Sequence, residues 1–404
     1  MRAFLGDILC CAECRHFPLA LTVLETTADA PDGGRGPTCE LRCGQDGHVL
    51  DHDHCSSCQT LAVISGYFLC PACERFYFIA DGIPRLLTED FADLIDLSVP
   101  RRFPDGFAEH RTKLDAYLAL LSRDAPRDAS SQWSLEDIAF WEDRVYGDAV
   151  KTASMLEEAG RARPDAGNRT LPRERSFFRR LRSELPGGVM LDLGCGLAQT
   201  IRALCPPTDV GYSYIGADLA ISALETNRRT LAGDFVQCTA GRAPFRENSV
   251  DAVLMLGTLH HLTDHDAALE HAVGAVRPGG WVALDEVVTR RHLTRRFRRA
   301  EAESAHNESV DPALVYRRLS PTTEMVVNRR EYSPVRGLLA KVFGEHMGTR
   351  PWLTRSILAV DALCLATVGR LSPLFEGREL HVLARKHGVG DDSRARRARP
   401  AISG

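Results

Sequence analysis

The chain has 404 residues, a length that suits two domains, and its composition of 44% hydrophobic and 26% charged residues is typical of a globular protein with a buried core. Its formal net charge of −4 offers no general attraction to nucleic acid or to an anionic membrane. No segment has the roughly 18 uncharged apolar residues of a membrane span, and Asp7 precedes any sustained apolar run, so we expect a cytoplasmic protein without a signal peptide.

The first predicted unit, residues 1–88, is a cysteine-rich module. Nine of the 13 cysteines lie in the first 73 residues, between turns that are dense in Gly, Pro, Asp and His. In a reducing cytoplasm such a density indicates metal binding rather than disulfides. Eight of these thiols form four close pairs, enough for two four-cysteine zinc sites, which are structural because no coordination position stays open. The predicted ligands are Cys11, Cys14, Cys39, Cys43, Cys55, Cys58, Cys70 and Cys73.

The residues around the last pair resemble a known family. The segment 66–73, followed by the run Asp-Gly-Ile-Pro-Arg-Leu-Leu at 81–87, is similar to the zinc-ribbon-like activating subunits of tRNA and release-factor methyltransferases. The resemblance implies that the outer two pairs share one zinc ion and that residues 30–60 are an insertion with a second site. An interleaved pairing and one site instead of two both stay open. Three histidines could replace a cysteine in the insertion: His48, His52 and His54.

Residues 89–185 are predicted to be helical. Leu114, Tyr117 and Leu121 recur at helical spacing, and no strand pattern interrupts them. The segment also carries aromatic side chains that suit either a core or the cover of a cationic ligand, since ring faces attract cations. These are Trp133, Trp141 and Tyr146.

From residue 186 to 388, short apolar runs alternate with helical segments, which predicts an α/β domain with a parallel sheet. The expected strands are 189–193, 214–217, 235–238, 252–256 and 281–284, with a closing strand at 379–386. We expect residues 300–375 to be mainly helical and residues 389–404 to be a disordered tail. Six arginines between Arg290 and Arg299 indicate either a solvated helix face or a phosphate contact.

The first strand of this domain runs into a Gly-X-Gly turn at Gly194 and Gly196, where bare backbone lets a ligand approach the carboxyl edge of the sheet. Asp218 ends the next strand and can accept hydrogen bonds from both hydroxyls of a ribose. Gln199 stands where a dinucleotide site has its third glycine, so a pyrophosphate-bearing cofactor is disfavoured.

Five segments in this order resemble class I S-adenosylmethionine-dependent methyltransferases, and the type 11 group in particular. They are 192–196, Asp218, 243–251, 259–262 and 277–280. The resemblance implies a seven-stranded, mostly parallel Rossmann-like sheet with flanking helices, S-adenosylmethionine as cofactor, and a linker at 89–185 that covers the cofactor. The implied cofactor-binding residues are Asp192, Gly194, Cys195, Gly196, Asp218, Leu219, Thr239, Ala240 and Leu256. Thr239 departs from the acid that relatives often carry near the adenine, and Ala198 from a third glycine.

His260 and His261 follow the fourth strand at the same edge, and one of them is the candidate base, because imidazole titrates near neutral pH. Glu286 ends the fifth strand, where it either holds a substrate amine or hydroxyl or pairs with a nearby arginine.

Three functions remain in competition. The first is methyl transfer to a small-molecule metabolite or natural product, by in-line displacement. The second is methylation of ribosomal or transfer RNA with help from the zinc module; the 13 acidic against 6 basic residues up to position 90 argue against it without excluding it. The third is a binding scaffold without catalysis. In the first two, the module supports the catalytic domain, so deleting residues 1–88 is expected to impair it. The sequence leaves the acceptor and the oligomeric state undetermined.

Overall fold

The computed structural model describes residues 1–27, 39–50, 58, 61–123, 128–161, 177, 180–181, 183–184, 188–204, 212–287, 310–331 and 379–388. The predicted tail 389–404, the arginines between 290 and 299, and Cys55 lie outside these residues. None of the described helices combines the length and the apolar character that a membrane-spanning helix needs.

The N-terminal module is built on a four-stranded antiparallel sheet in the order β1-β2-β3-β4. The strands are β1 (Ala20–Thr27), β2 (Ala62–Leu69), β3 (Phe76–Ala80) and β4 (Ile83–Pro84). One face of this sheet packs on the helical segment that follows, where Tyr67 stacks on Phe107 with ring centroids 4.4 Å apart. Phe76, Phe78 and Tyr117 complete this aromatic cluster, so the module and the helices share a core.

A second sheet of seven strands has the order β10-β11-β9-β8-β5-β6-β7, in which β5 to β9 are parallel and β11 runs antiparallel to both of its neighbours, β9 and β10. Its apolar strands are buried on both faces, as a parallel sheet between helices requires. The predicted fold class, a Rossmann-like sheet behind a small cysteine module, is confirmed. The strands are β5 (Gly188–Leu193), β6 (Tyr212–Asp218), β7 (Asp234–Gln237), β8 (Val250–Leu256), β9 (Val276–Val287), β10 (Thr323–Glu331) and β11 (Glu379–Lys386).

The described helices are α1 (Ser98–Arg102), α2 (Arg111–Leu121), α3 (Ala129–Trp141), α4 (Ala149–Arg161), α5 (Gln199–Leu204), α6 (Ile221–Thr230), α7 (His265–Ala275) and α8 (Pro312–Leu319). A π-helical turn, Glu142–Tyr146, continues α3. We call residues 129–161, which comprise α3, this turn and α4, the lid. Asp128 caps the lid's first helix, because its side chain accepts a hydrogen bond from the Ser131 amide at 2.6 Å.

Strand β10 differs from the expectation that residues 300–375 are mainly helical. Only α8 is helical among the described residues of that range, and Thr323–Glu331 pairs with β11. The strand lies at the edge of the sheet and carries charged residues at many positions, so its sequence lacks the apolar run of a buried strand. Its pairing with β11 is what makes it a strand.

The module docks on the β7 edge of the large sheet. The Leu86 amide donates to the Gln237 carbonyl at 2.8 Å, which extends the edge by one more chain segment. Arg2 and Asp234 form a buried ion pair at 2.7 Å between the two parts. The two sheets therefore belong to one continuous hydrophobic core.

Candidate functional site

A cavity of about 250 Å³ lies at the carboxyl ends of β5, β6 and β8 and is covered by the lid. All nine residues expected at a cofactor lie in its wall: Asp192, Gly194, Cys195, Gly196, Asp218, Leu219, Thr239, Ala240 and Leu256. Of the two candidate bases, the wall contains His261 and not His260. The lid contributes Ser134, Asp137, Ile138, Trp141, Tyr146 and Met155.

The Gly-X-Gly turn has a backbone that only glycine adopts easily. Gly194 and Gly196 have φ of +74° and +47°. A Cβ on Gly194 would collide with the side chain of Thr258, and one on Gly196 would lie 2.9 Å from the Tyr146 hydroxyl. The turn therefore presents bare backbone to the cavity beneath an aromatic residue of the lid.

Asp218 fixes this turn to the end of β6. One carboxylate oxygen accepts a hydrogen bond from the Gly196 amide at 2.7 Å, and the other accepts one from the Ala220 amide at 2.8 Å. Burial raises the pKa of Asp218, and the backbone amides that donate to it oppose the rise. Each oxygen keeps a second lone pair, so the carboxylate can accept further hydrogen bonds from a ligand.

Asp192 lies deeper, at the end of β5, and is 3% exposed. Its Oδ2 accepts a hydrogen bond from the Tyr214 hydroxyl at 2.8 Å, while its buried Oδ1 has no hydrogen-bond partner. Burial raises the pKa of Asp192 to about 7; the Tyr214 hydrogen bond lowers it and the charge of Asp218 raises it. The site therefore holds an incompletely satisfied acid that a cationic group would stabilise in its charged form.

Thr239 caps the short turn Ala240–Arg242, because its hydroxyl accepts a hydrogen bond from the Gly241 amide at 3.3 Å. Because the Thr239 hydroxyl oxygen already accepts this hydrogen bond, it is a weaker acceptor for a ligand. The backbone around Ala240 lies in the same part of the wall.

Glu286 has a role that the sequence did not indicate. Its side chain is fully buried and accepts hydrogen bonds from the amides of Thr258 and Leu259 at 2.8 and 2.7 Å. It also accepts one from His260 Nδ1 at 2.9 Å. Glu286 thus holds the loop after β8 in place and has no free surface for a substrate.

His261 contacts the lid. Its Nδ1 lies 3.4 Å from Asp137 Oδ2, and its ring is nearly perpendicular to that of Trp141, with centroids 5.5 Å apart. The Trp133 indole donates to the His261 carbonyl at 3.3 Å. Asp137 was not predicted from sequence, although its position four residues from both Trp133 and Trp141 places all three on one helix face.

The outer cysteine pairs converge in the module. The Sγ atoms of Cys11, Cys14, Cys70 and Cys73 all lie within 4.8 Å of one another. Cys11 and Cys73 are 3.5 Å apart, and Cys14 and Cys70 are 3.6 Å apart. A tetrahedral zinc ion with Zn–S bonds of about 2.3 Å needs sulfur separations of about 3.8 Å, so the four thiols fit zinc.

The inner pairs form a second group. The Sγ atoms of Cys43 and Cys58 lie 3.4 Å apart, and the Cys58 thiol contacts Cys39 and lowers its pKa. All three are buried. The predicted fourth ligand, Cys55, is outside the described residues.

Comparison with known proteins agrees with this geometry. Residues 191–284 match the family model of the methyltransferase domain. The probable tRNA methyltransferase 9B of Mus musculus is 24% identical over 165 residues, which are 40% of this chain and 35% of that protein. Demethylmenaquinone methyltransferase of Clavibacter sepedonicus is 32% identical over 107 residues, 26% of this chain and 42% of that protein. This chain spans less than half the length of these curated relatives.

Among solved structures, phosphoethanolamine N-methyltransferase 2 of Haemonchus contortus in complex with S-adenosyl-L-methionine aligns with a TM-score of 0.42 and 15% identity. The alignment covers 62% of this chain and 60% of that one. From the family match between β5 and β9 and from the order of the seven strands, the chain carries a class I S-adenosylmethionine-dependent methyltransferase domain.

Proposed function

We propose that this protein transfers a methyl group from S-adenosylmethionine to a small-molecule acceptor. The observation that carries the proposal is the charge of the cavity wall. It contains three carboxylates, Asp137, Asp192 and Asp218, and its described residues include no lysine or arginine. Such a wall attracts a ligand with ammonium and sulfonium groups and repels phosphates, because like charges in a partly buried site are costly.

The residues of the wall suit the parts of this cofactor. Asp218 would accept from the ribose hydroxyls, and the Thr239–Ala240 segment would border the adenine. The unpartnered Oδ1 of Asp192 would receive the ammonium group beside the Gly194–Gly196 turn. Bound there, the cofactor supplies an already activated methyl group, so the protein's task is to align the acceptor and exclude water. The lid, with Trp141 stacked on Tyr146 at 5.6 Å, supports that task.

Methylation of transfer RNA is the second candidate, because tRNA methyltransferase 9B is among the relatives. The covered cavity and the acidic wall favour a small acceptor over a polyanion. The loop Leu256-Gly257-Thr258 after β8 also lacks the Asn-Pro-Pro-Tyr pattern that enzymes acting on a flipped base carry.

We further propose that the module binds zinc, at Cys11, Cys14, Cys70 and Cys73 and at a second site formed by Cys39, Cys43, Cys55 and Cys58. The sulfur separations of the outer four cysteines support the first site, and the 3.4 Å between the Sγ atoms of Cys43 and Cys58 supports the second. Four thiolates leave no open position, so the ions stabilise the module rather than act in catalysis. Through its contacts with the β7 edge the module would support the methyltransferase domain from within the same chain.

Calorimetry of the full chain with S-adenosylmethionine tests the first requirement, and absence of binding would refute the proposed function. Transfer of a labelled methyl group is then compared between a small-molecule fraction of a cell extract and total tRNA. We expect label in the small-molecule fraction. Label in tRNA alone would establish the second candidate instead.

A further inference from the structure

We propose that His261, and not His260, is the base of the reaction, that Asp137 on the lid is its positioning residue, and that the acceptor group is a hydroxyl. This inference rests on the proposed function and deepens it. Neither residue of this pair is distinguished from its neighbours by the sequence, since the two histidines are adjacent and Asp137 lies 124 positions before His261.

His260 is committed to the fold of the loop. Its Nδ1 donates to Glu286 at 2.9 Å, and the same carboxylate holds two backbone amides. Glu286 is fully buried, so this arrangement is a rigid anchor for the loop. The cavity wall contains His261 but not His260.

His261 lies in the wall, and its surroundings distinguish its two ring nitrogens. Nδ1 is buried and has no hydrogen bond in this structure, but Asp137 Oδ2 lies 3.4 Å away, within reach of a catalytic hydrogen bond that shortens when ligands bind. A carboxylate beside Nδ1 favours the tautomer with hydrogen on Nδ1, which leaves the lone pair on Nε2.

Asp137 has no other function in the described contacts. It is 7% exposed, lies in the cavity wall, and its Oδ1 has no hydrogen-bond partner. Burying a carboxylate without full hydrogen bonding is unfavourable. The stability of the lid helix therefore gives no reason for an acid at position 137. A carboxylate that faces an imidazole stabilises the imidazolium that forms when the histidine takes a proton.

Methyl transfer to the hydroxyl needs only the acceptor, S-adenosylmethionine and a base for the proton. His261 Nε2 takes the proton of the acceptor hydroxyl as the oxygen forms a bond to the methyl carbon. The carbon–sulfur bond breaks with its electron pair on sulfur, which leaves a neutral thioether and a methyl ether. The imidazolium beside Asp137 then returns its proton to water. The presence of a base favours a hydroxyl over a neutral amine, because the amine attacks with its own lone pair and loses its proton afterwards.

Because Asp137 belongs to the lid and His261 to the loop after β8, the pair exists only when the lid lies over the loop. The Trp133 indole, which donates to the His261 carbonyl, and the Trp141 ring against the imidazole hold this arrangement. The base is therefore correctly oriented only in the closed cavity.

Nitrogen-15 NMR of histidine in the full, zinc-loaded chain without cofactor tests the pair directly, because ¹⁵N shifts distinguish the two imidazole tautomers. His261→Asn identifies the signal. We expect the Nδ1–H tautomer in the wild type, a shift toward the Nε2–H tautomer in Asp137→Asn, and recovery in Asp137→Glu. Asp143→Asn, at an exposed lid position, is the matched control and should leave the signal unchanged.

Activity provides the second readout. At saturating S-adenosylmethionine, His261→Asn is expected to lower kcat at least about 100-fold and Asp137→Asn about 10-fold or more. A product with a ¹³C-labelled methyl group should show the downfield shift of an O-methyl carbon. An unchanged tautomer in Asp137→Asn, or a C- or N-methyl product, would overturn the inference. Loss of cofactor binding in the wild type would instead refute the proposed function, while the tautomer measurement would still stand.

Discussion

At Gly196 the backbone itself forms the cavity wall, which makes this residue sensitive to the smallest substitution. Gly196→Ala adds a Cβ at 2.9 Å from the Tyr146 hydroxyl in a backbone with φ of +47°. We expect the Kd for S-adenosylmethionine, measured by calorimetry, to rise about tenfold or more, because the turn and the lid must separate.

Gly279→Ala is the matched control. Gly279 also has a positive φ, +83°, but the nearest atom to an added Cβ is 4.0 Å away, in a flexible arginine side chain. The Gly279→Ala substitution should lower the free energy of unfolding by about 1 kcal/mol through backbone strain and leave the Kd for S-adenosylmethionine unchanged. Equal effects of both substitutions on the Kd would mean that Gly196 does not border the cofactor.

Asp192 makes stability depend on pH. Its pKa is raised to about 7, above the ordinary 3.8, so between these values the folded state holds a proton that the unfolded chain has released. The free energy of unfolding therefore falls as pH rises through this window, by up to about 4 kcal/mol. Asp192→Asn removes this dependence while its carbonyl still accepts from Tyr214.

Urea unfolding of both proteins between pH 5 and 8 measures the effect. The stability of Asp192→Asn relative to wild type should increase with pH up to about 7 and then level off. The exposed Asp143→Asn serves as the control and should give a flat difference. A flat difference for Asp192→Asn as well would mean that this carboxyl is already charged in the folded protein at pH 5.

At the scale of elements, the loop 239–246 joins the cavity to the module. Its first residues, Thr239 and Ala240, border the cavity, and its last residues contact the module. Arg15 donates to the carbonyls of Ala243 and Phe245 at 2.5 and 2.8 Å. The Cys10 amide donates to the Pro244 carbonyl at 2.9 Å. The module thus restrains a segment of the wall.

Arg15→Ala is expected to raise the Kd for S-adenosylmethionine severalfold and to lower stability by about 2 kcal/mol, because it removes two charge-assisted hydrogen bonds to the loop. Calorimetry and urea unfolding measure the two effects. Arg42→Ala, which removes an exposed hydrogen bond to the Gly47 carbonyl within the module, should leave the Kd unchanged. A destabilised Arg15→Ala protein that binds S-adenosylmethionine with wild-type affinity would show that docking of the module does not affect cofactor binding.

For the whole molecule, the metal content tests whether the module has two sites. We expect two zinc ions per chain by native mass spectrometry, and one in either Cys14→Ser or Cys58→Ser, since the two thiols belong to different groups. Cys238→Ser, which replaces a buried thiol of the large sheet, should keep both ions. One zinc ion in the wild type would contradict the second site.

Cys14→Ser should also lower the thermal stability of the methyltransferase domain. The metal-bound fold of a small module contributes directly to stability, and this module shares one core with the large sheet. An unchanged unfolding temperature would mean that the two parts unfold independently.

Much of this protein was predictable from sequence because the relevant signals are local. Three of these signals depend on residues only a few positions apart: the Gly194–Gly196 turn, the acid at Asp218 and the apolar runs of the parallel strands. They predicted the turn and six strands of the sheet, whereas the resemblance to class I methyltransferases implied the seventh strand and the full set of nine cofactor-binding residues. The close spacing of Cys11 with Cys14 and of Cys70 with Cys73 likewise predicted the module.

Other features arose only from contacts between distant segments. The edge strand β10 has only three consecutive apolar residues between charged and polar ones, and it is a strand because β11 pairs with it. Glu286 anchors a loop 28 residues away from it, at Thr258, and Asp137 meets His261 only where the lid lies over the sheet. The sequence by itself determined which side chains are available at the carboxyl edge of the sheet. Only the folded chain decided which of the two adjacent histidines faces the cavity, because the burial and orientation of each ring depend on all the residues that pack around it.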